Sequence, residues 1–425
     1  MTDPLRIIDR EEHGIDRCQV SANACKVTEQ LQAAGYHAFI VGGGVRDLLL
    51  DQAPKDFDVA TDATPDEVVK VFRRARLIGR RFRIVHVRFG REVIEVATFR
   101  SEPRPEQRDH DRGRLLTDNV FGTEAEDARR RDFTINALMY DPSTETVRDH
   151  VDGYRDVVER RLRLIGHPVT RYREDPVRLL RAVRFLVKLD LSLEPDTAGP
   201  IVGMAPLLAN IPPARLFDET LKLFLGGHAW ETFQALVRFR LWEQLFPAAM
   251  ADPDDPPPLV RQALINTDAR VAENKPVTPG FLFAALLWPQ VQTLARQLIA
   301  DGVPPVDALG RAGEAALSEQ ARHVAIPRRF GAMSKEIWCF QPRFERRRGK
   351  RVLRLMRERR FRAAYDFLLL RAAEQPELAE LAEWWTRIQE VDEAQRQRMI
   401  HGKGKGRGKD KRREGQSDVR AGARA

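Results

Sequence analysis

Two aspartates stand one residue apart, Asp56 and Asp58, in the stretch PKDFDVAT. On a β-strand side chains alternate with a period of two, so both carboxylates would leave one face while Phe57 and Val59 point to the other. Two acids so placed repel each other unless a cation sits between them. A pair of Mg²⁺ ions suits the position, because Mg²⁺ takes oxygen ligands and bridges carboxylates to substrate phosphates. Just upstream, FIVGGG reads as a short apolar strand running into a turn at Gly42, Gly43 and Gly44. Bare backbone N–H groups ahead of a helix make an anion site. An ordinary tight turn has the same composition, and the pattern is neither the dinucleotide fingerprint nor a Walker loop. A third acid, Glu95 in VIEVATF, alternates with Ile94 and Val96. That alternation commonly marks a solvent face. Sharing a sheet with the two aspartates makes Glu95 a candidate third carboxylate of the site.

The elements that must hold these residues follow from pattern. Asn23 to Ala34 reads as a helix stopped by Gly35, His37 to Val41 as the first core strand, and Val45 to Leu50 as a brief helix. Thr64, Pro65 and Glu67 form an N-cap, N1 proline and capping-box acid, opening a helix to about Arg74. Leu77 to Val87 is a basic loop, Gly79 to Arg83, leading into a strand; Val93 to Phe99 is another strand. Ser101 to Asn119 reads as a mobile polar loop, Asp127 to Tyr140 as a basic turn followed by a helix, and Asp141 to Asp152 as a hairpin ended by Gly153.

From Arg155 the strand-like runs stop and helical periodicity takes over, placing a boundary near residue 150. Arg171 to Leu189 reads as one helix, with Glu174, Arg178 and Arg181 on a shared face and Leu179, Val183 and Leu186 opposite. Ile211 to Glu219 starts a second helix after two prolines. Asp252 to Pro258 is a loop, and the apolar Pro279 to Trp288 belongs to a helical core. Arg343 to Arg362 holds eleven basic residues in twenty, interleaved with Val352, Leu353, Leu355 and Met356. Solvated helices ordinarily mix their signs, so this positive face is read as contacting a nucleic-acid backbone. Trp384 and Trp385 are read as core. Residues 401–425 carry nine Lys and Arg against three acids; with no apolar run to bury, this tail is expected to be disordered and to hold RNA non-specifically.

At 425 residues the chain should contain two to four domains. A 43% hydrophobic and 31% charged composition describes a soluble globular protein. There is no run of about 18 apolar residues, hence no expected membrane span, and no signal-peptide core at the N-terminus. Three cysteines without metal-ligand spacing suit a reducing cytoplasm. The net charge of +9 suggests a polyanionic partner. No feature of the sequence assigns an oligomeric state.

Taken together, GGGVRDLLL with PKDFDVAT, EVATFR at Glu95 to Arg100, RRDFTINAL at Arg130 to Leu138 and REDPVRLLRAVRF at Arg173 to Phe185 resemble the class II nucleotidyltransferases, the bacterial poly(A) polymerases and CCA-adding enzymes. The resemblance covers most of the chain in the correct order. LIGRRFRIVHV, FRAAYDFLLLRA at Phe361 to Ala372 and the basic tail look like the poly(A) polymerase branch. It implies an α+β fold: a nucleotidyltransferase head with a small mixed sheet over 1–150, a helical neck over 151–250, a helical body over 251–400 and the tail.

The resemblance further implies Asp56 and Asp58 as ligands of two Mg²⁺ ions, with Glu95 as a supporting catalytic acid. Gly42, Gly43, Arg46 and Asp47 would sit at the triphosphate. Arg131, Asp132 and Asn136 would lie near ribose and phosphates, and Arg100 belongs to the same nucleotide-binding set. Glu174, Asp175 and Arg178 would line the base pocket, where fixed carboxylate and guanidinium groups can pair with a base edge without a template. Arg181, Arg184, Arg215 and Glu219 would hold that pocket rigid. The implied reaction is two-metal transfer of AMP from ATP to RNA 3′ ends: one Mg²⁺ acidifies the 3′-hydroxyl, the other steadies the leaving pyrophosphate. RNA-decay machinery is the implied partner. The competing readings are CCA addition to transfer RNA and a silent RNA-binding protein of the same fold. A metal phosphohydrolase is set aside, because Asp149–His150 has the wrong order and the nine histidines form no ligand cluster.

Overall fold

The computed structural model describes residues 5–79, 83–101 and 120–401. Most of the basic Gly79–Arg83 segment, nearly all of the Ser101–Asn119 stretch and the tail after His401 lie outside the described residues. The chain packs as two compact units, Met1–Lys335 and Glu336–Ala425.

The first unit opens on an eight-stranded mixed sheet. Its strands are β1 (Arg6–Ile8), β2 (Ala38–Val41), β3 (Asp58–Thr61), β4 (Ala75–Ile78), β5 (Ile84–Phe89), β6 (Glu92–Thr98), β7 (Met139–Asp141) and β8 (Thr146–Asp149), in the order β1-β8-β7-β2-β3-β6-β5-β4. The central β2, AFIV, is buried on both faces, as a continuous apolar run requires, whereas β6 alternates between Ile94, Val96 and Thr98 inside and Glu95 outside. Only β3 and β6 pair in parallel, and their register sets Asp58 directly opposite Glu95. β2 runs antiparallel to β3 and its last pair is Val41 with Asp58.

That last pair corrects one expectation. Asp56 is not on the strand: β2 turns away at Gly42, so residues 56 and 57 lose their partner on that side and form the loop entering β3. The loop is seated by the glycine turn. A Cβ on Gly44 would stand 3.2 Å from the Asp56 carbonyl and 3.1 Å from the Phe57 ring, so any larger residue there would push the loop by a few tenths of an ångström. That helix, Gly43–Leu49, starts inside the glycine run behind Gly42, whose φ of +74° no β-branched residue would adopt comfortably.

Other elements behave as their local chemistry dictates. Ser21 caps Ala22–Ala33, and Thr64 with Glu67 forms the reciprocal capping box of Pro65–Val71. The sequence pattern names no strand at β4, ahead of the basic Gly79–Arg83 loop; it pairs with β5 as the sheet's edge, where exposed Leu77 and Ile78 leave no buried face to reveal it. The helix expected after the basic turn at 129–131 instead ends within it. It is Glu124–Arg130, capped by Thr123 and Glu126, followed by a 3₁₀ turn at Thr134–Asn136 and then β7. The expected hairpin stands as β7 and β8. Beyond β8 the secondary structure of the described residues is helical except for a two-residue parallel pair, Arg161–Leu162 with Ser192–Leu193.

Arg171–Leu189 is two helices and not one. Pro168–Glu174 ends at Asp175, which is extended at φ −146° and ψ 91°, and Val177–Lys188 begins after Pro176. Proline lacks an N–H and disfavours helical backbone in the preceding residue. Leu179 and Val183 of the second helix are buried as expected, and Leu186 only partly. Pro213–Phe224 follows the two prolines at 212 and 213, and Pro279–Leu286 is buried core.

The second unit closes its own core around Phe344, Phe361, Tyr365, Leu368, Trp385 and Ile388. Trp385 donates Nε1–H to the Phe344 carbonyl at 2.8 Å, the polar partner a buried indole requires. Of the arginine-rich stretch, Lys350–Met356 is a short helix after Gly349, and Phe361–Glu374 follows. No described helix is long and apolar enough to cross a membrane.

Candidate active site

The glycine turn, the end of β3 and the Val177–Lys188 helix enclose a cavity of about 550 Å³. It is lined by thirteen of the residues singled out from sequence: Gly42, Gly43, Arg46, Asp58, Arg131, Asp132, Asn136, Asp175, Arg178, Arg181, Arg184, Arg215 and Glu219. Val177, Phe185 and Lys188 complete the wall.

Most of its cations are held by a carboxylate. Arg46 is buried; its Nε donates to Asp47 Oδ1 at 2.9 Å and its Nη1 to Asn136 Oδ1 at 2.6 Å. Asn136 in turn donates Nδ2–H to Asp132 Oδ1 at 3.0 Å, and Arg181 Nε donates to Asp132 Oδ2 at 2.6 Å. A single chain of hydrogen bonds therefore runs from the glycine-turn helix to the Val177–Lys188 helix. Burial opposes the charge on Asp132, but Arg181 and the hydrogen bonds from Asn136 and the Phe133 N–H outweigh it, holding this carboxyl below the usual range. Arg131 pairs with Asp127 at 3.0 Å and Arg215 with Asp175 at 2.7 Å. Glu174 holds Arg171 at 2.9 Å and Arg178 at 3.5 Å, and Arg178 Nη1 also donates to the Arg171 carbonyl at 2.8 Å. The proline break thus keeps the Glu174–Arg178 pair while freeing Asp175 to face the cavity beside Arg178.

The aromatic Phe185 is the common floor of three guanidiniums. Arg46, Arg181 and Arg184 lie 5.1, 5.3 and 4.7 Å from its ring centre, and Phe133 meets it edge-on at 5.7 Å. An aromatic face attracts cations that would otherwise repel one another.

The acidic side of the site is different. Asp58 keeps exposed surface, yet the protein walls around it desolvate the carboxylate, and the charges of Glu95 and Asp56 add to this; Arg131 offsets part. Its carboxyl is pushed up to about 6. Glu95 also faces His86 across the sheet, at 3.7 Å. Like charges gathered without a countercharge are what a divalent cation would relieve. Among the described residues no group of three or more His, Cys, Asp or Glu side chains could hold a metal unaided. Asp58 with Glu95 opposite it and Asp56 nearby supplies the oxygen donors that a hard divalent cation takes.

Five of the expected site residues do not line the cavity. Asp47 stands behind Arg46, and Glu174 behind Arg178. Arg100 is fixed by its backbone N–H to Asp127 Oδ1 at 3.2 Å. Asp56 and Glu95 act on Asp58 by charge. Phe185 and Lys188 went unassigned in the sequence reading, although the signal was present. At about 100° per residue, Arg178, Arg181, Arg184, Phe185 and Lys188 fall within about 120° of one another around the helix.

Family models match the chain in order: the poly A polymerase head domain over residues 38–163, "Probable RNA and SrmB- binding site of polymerase A" over 190–252, and the polymerase A arginine-rich C-terminus over 301–418. The poly(A) polymerase I of Salmonella typhimurium is 48% identical over 91% of this chain and 86% of its own length; that of Haemophilus influenzae is 46% identical over 93% and 90%. A CCA-adding enzyme of Bacillus pumilus is 38% identical over only 52% of this chain and 54% of its own. Among solved structures, the Bacillus stearothermophilus CCA-adding enzyme in complex with CTP superimposes with a TM-score of 0.58 at 27% identity, covering 86% of this chain and 80% of that one. With near-half identity kept along almost its whole length, and with three family models falling on it in sequence, the chain belongs to the poly(A) polymerase family.

Proposed function

We propose that this chain is a template-independent polynucleotide adenylyltransferase that extends RNA 3′ ends with AMP from ATP. The carrying observation is that one cavity joins Asp58 and the Gly42–Gly43 turn to the Asp175–Arg178 edge. The first group suits a metal-bound triphosphate, and the second suits one base edge.

In this reading Asp56 and Asp58, with Glu95 beside them, are the residues that would hold Mg²⁺, which when bound activates the 3′-hydroxyl and neutralises charge on the triphosphate. Gly42, Gly43 and Arg46 orient the phosphates, and Asp47 fixes Arg46. Arg131, Asp132 and Asn136 face the ribose, with Arg100 bracing Asp127, the partner of Arg131. Asp175 and Arg178 select adenine, held by Arg215 and Glu174. Because these groups are already fixed by hydrogen bonds, little reorganisation remains for the reaction itself, which is positioning and charge with no covalent intermediate. The division into head 1–150, neck 151–250, body 251–400 and tail is carried with this reading, as are a cytoplasmic setting and consumption of the tailed RNA by decay machinery.

CCA addition shares the catalytic half, as the half-length match to the Bacillus pumilus enzyme illustrates. The test is incubation of purified protein with ATP, CTP and Mg²⁺ on two substrates, a generic RNA and a transfer RNA lacking its terminus. Long adenosine tails on both support the proposal. Growth that halts after CCA on the transfer RNA alone overturns it.

A further inference from the structure

The cavity contains two cations that no carboxylate among the described residues holds in an ion pair. Arg46, Arg131, Arg178, Arg181 and Arg215 each have a carboxylate partner. Arg184 and Lys188 line the same wall and make no ion pair with any described residue. The Arg184 Nε is buried without a hydrogen-bond partner. Its guanidinium lies on Phe185, and burial together with the neighbouring Arg181 opposes its charge, an effect that the more distant charges of Glu219 and Asp132 only partly offset. Lys188 follows one turn later, about 6 Å along the helix axis. Burial and the nearby Arg46, Arg184 and Lys55 likewise oppose its charge, partly offset by Asp47. A partly buried charge without an ion pair is costly, so Arg184 gains when an anion enters the cavity, and Lys188, which reaches solvent, adds a second cation to the same wall.

We infer that Arg184 and Lys188 form a phosphate-binding site on the same cavity wall as Arg46, about 9 to 15 Å along the helix from the base-selecting Arg178. The ligand class is a phosphate ester or anhydride. The inference rests on the adenylyl-transfer reading for its two sources: the polyphosphate of ATP and the phosphodiester nearest the RNA 3′ end. Asp175 and Arg178 choose the nucleotide, whereas Arg184 and Lys188 carry no base-reading geometry and answer to charge alone.

The experiment compares the full chain with Arg184→Gln, Lys188→Gln and the charge-keeping Arg184→Lys and Lys188→Arg. Two quantities are read: the Kd of a labelled oligoadenylate in metal-free buffer, where no turnover occurs, and the KM for ATP at saturating RNA. Lys188 is exposed, so its substitution leaves the core intact; thermal midpoints check the Arg184 variants. Each Gln variant is expected to weaken one of the two by about tenfold, the loss of one charged hydrogen bond, with recovery in the Lys or Arg variant. A change in Kd, with a shallower salt dependence, assigns the site to the RNA phosphodiester. A change in KM with Kd preserved assigns it to the triphosphate. Both values unchanged in folded Lys188→Gln and Arg184→Gln overturn the inference. A wild-type chain that adds no AMP would instead overturn the function on which it rests, while the binding arm still tests the phosphate site.

Discussion

Two regions of this molecule are rich in arginine, and they use it in opposite ways. In the catalytic cavity the guanidiniums are oriented: Arg46 lies between Asp47 and Asn136, Arg181 is held on Asp132, and Phe185 sits beneath both. In the second unit, Arg343, Arg347, Arg360 and Arg362 are consumed by Glu358, Glu380, Glu336 and Asp366. Lys350, Arg354 and Arg357 have no ion pair among the described residues; they stand exposed around a cavity of about 360 Å³ with Leu353 and Ile400 beneath. Fixed guanidiniums can discriminate between shapes and base edges. Exposed cations on flexible stems attract any polyanion and pay side-chain entropy when they bind. Under the proposed function, the contrast suits selection to the first region and RNA retention to the second.

The largest expected effect breaks the acidic side of the cavity. Asp58→Ala should lower AMP incorporation by about a thousandfold or more, because the site loses its central carboxylate. Next is selection. Asp175→Ala removes both a cavity-facing acid and the anchor of Arg215, so the preference for ATP over other nucleotides should fall about ten- to a hundredfold in competition assays. Phe185→Leu keeps the volume but removes the shared aromatic face. It should raise the KM for ATP about five- to thirtyfold, with Phe185→Tyr largely restoring it. A smaller effect is expected in the second unit. Lys350→Gln, Arg354→Gln and Arg357→Gln combined should reduce the salt slope of RNA binding by about two and leave nucleotide choice unchanged.

The smallest effect concerns pH. The Asp58 carboxyl is raised from 3.8 to about 6, so between those values the folded state keeps a proton that the unfolded chain has lost. Stability of the metal-free protein therefore falls as pH rises through this window and levels off above about 6. Asp58→Asn should melt close to wild type near pH 4 and progressively higher than wild type toward pH 7. Added Mg²⁺ should raise the wild-type melting midpoint most at the upper end.

How much of this was legible beforehand depended on whether the signal was local. The capping box at Thr64 and Glu67, the buried AFIV strand and the motif acids all announce themselves within a few residues. Asp56 and Asp58 were singled out for a partly incorrect geometric reason: strand periodicity could not reveal that β2 departs at Gly42 and leaves Asp56 in a loop. The break at Pro176 was visible and was overridden by a strong helical pattern on both sides. β4 hid because an exposed edge strand has no apolar face to display. The pairing of Asp58 with Glu95, and the meeting of Arg46 with Asn136, join residues tens of positions apart, and only the sheet order decides them.

The central claim is that chemistry and RNA retention are divided between these two regions. The most direct measurement takes Asp58→Ala and the combined Lys350→Gln, Arg354→Gln, Arg357→Gln variant and determines, for each, both AMP incorporation at saturating RNA and the Kd for the same RNA. Asp58→Ala should lose incorporation with its Kd preserved, and the triple variant should bind RNA more weakly while keeping its rate at saturation. Normal incorporation by Asp58→Ala, or loss of the saturated rate in the triple variant with RNA affinity unchanged, would contradict it.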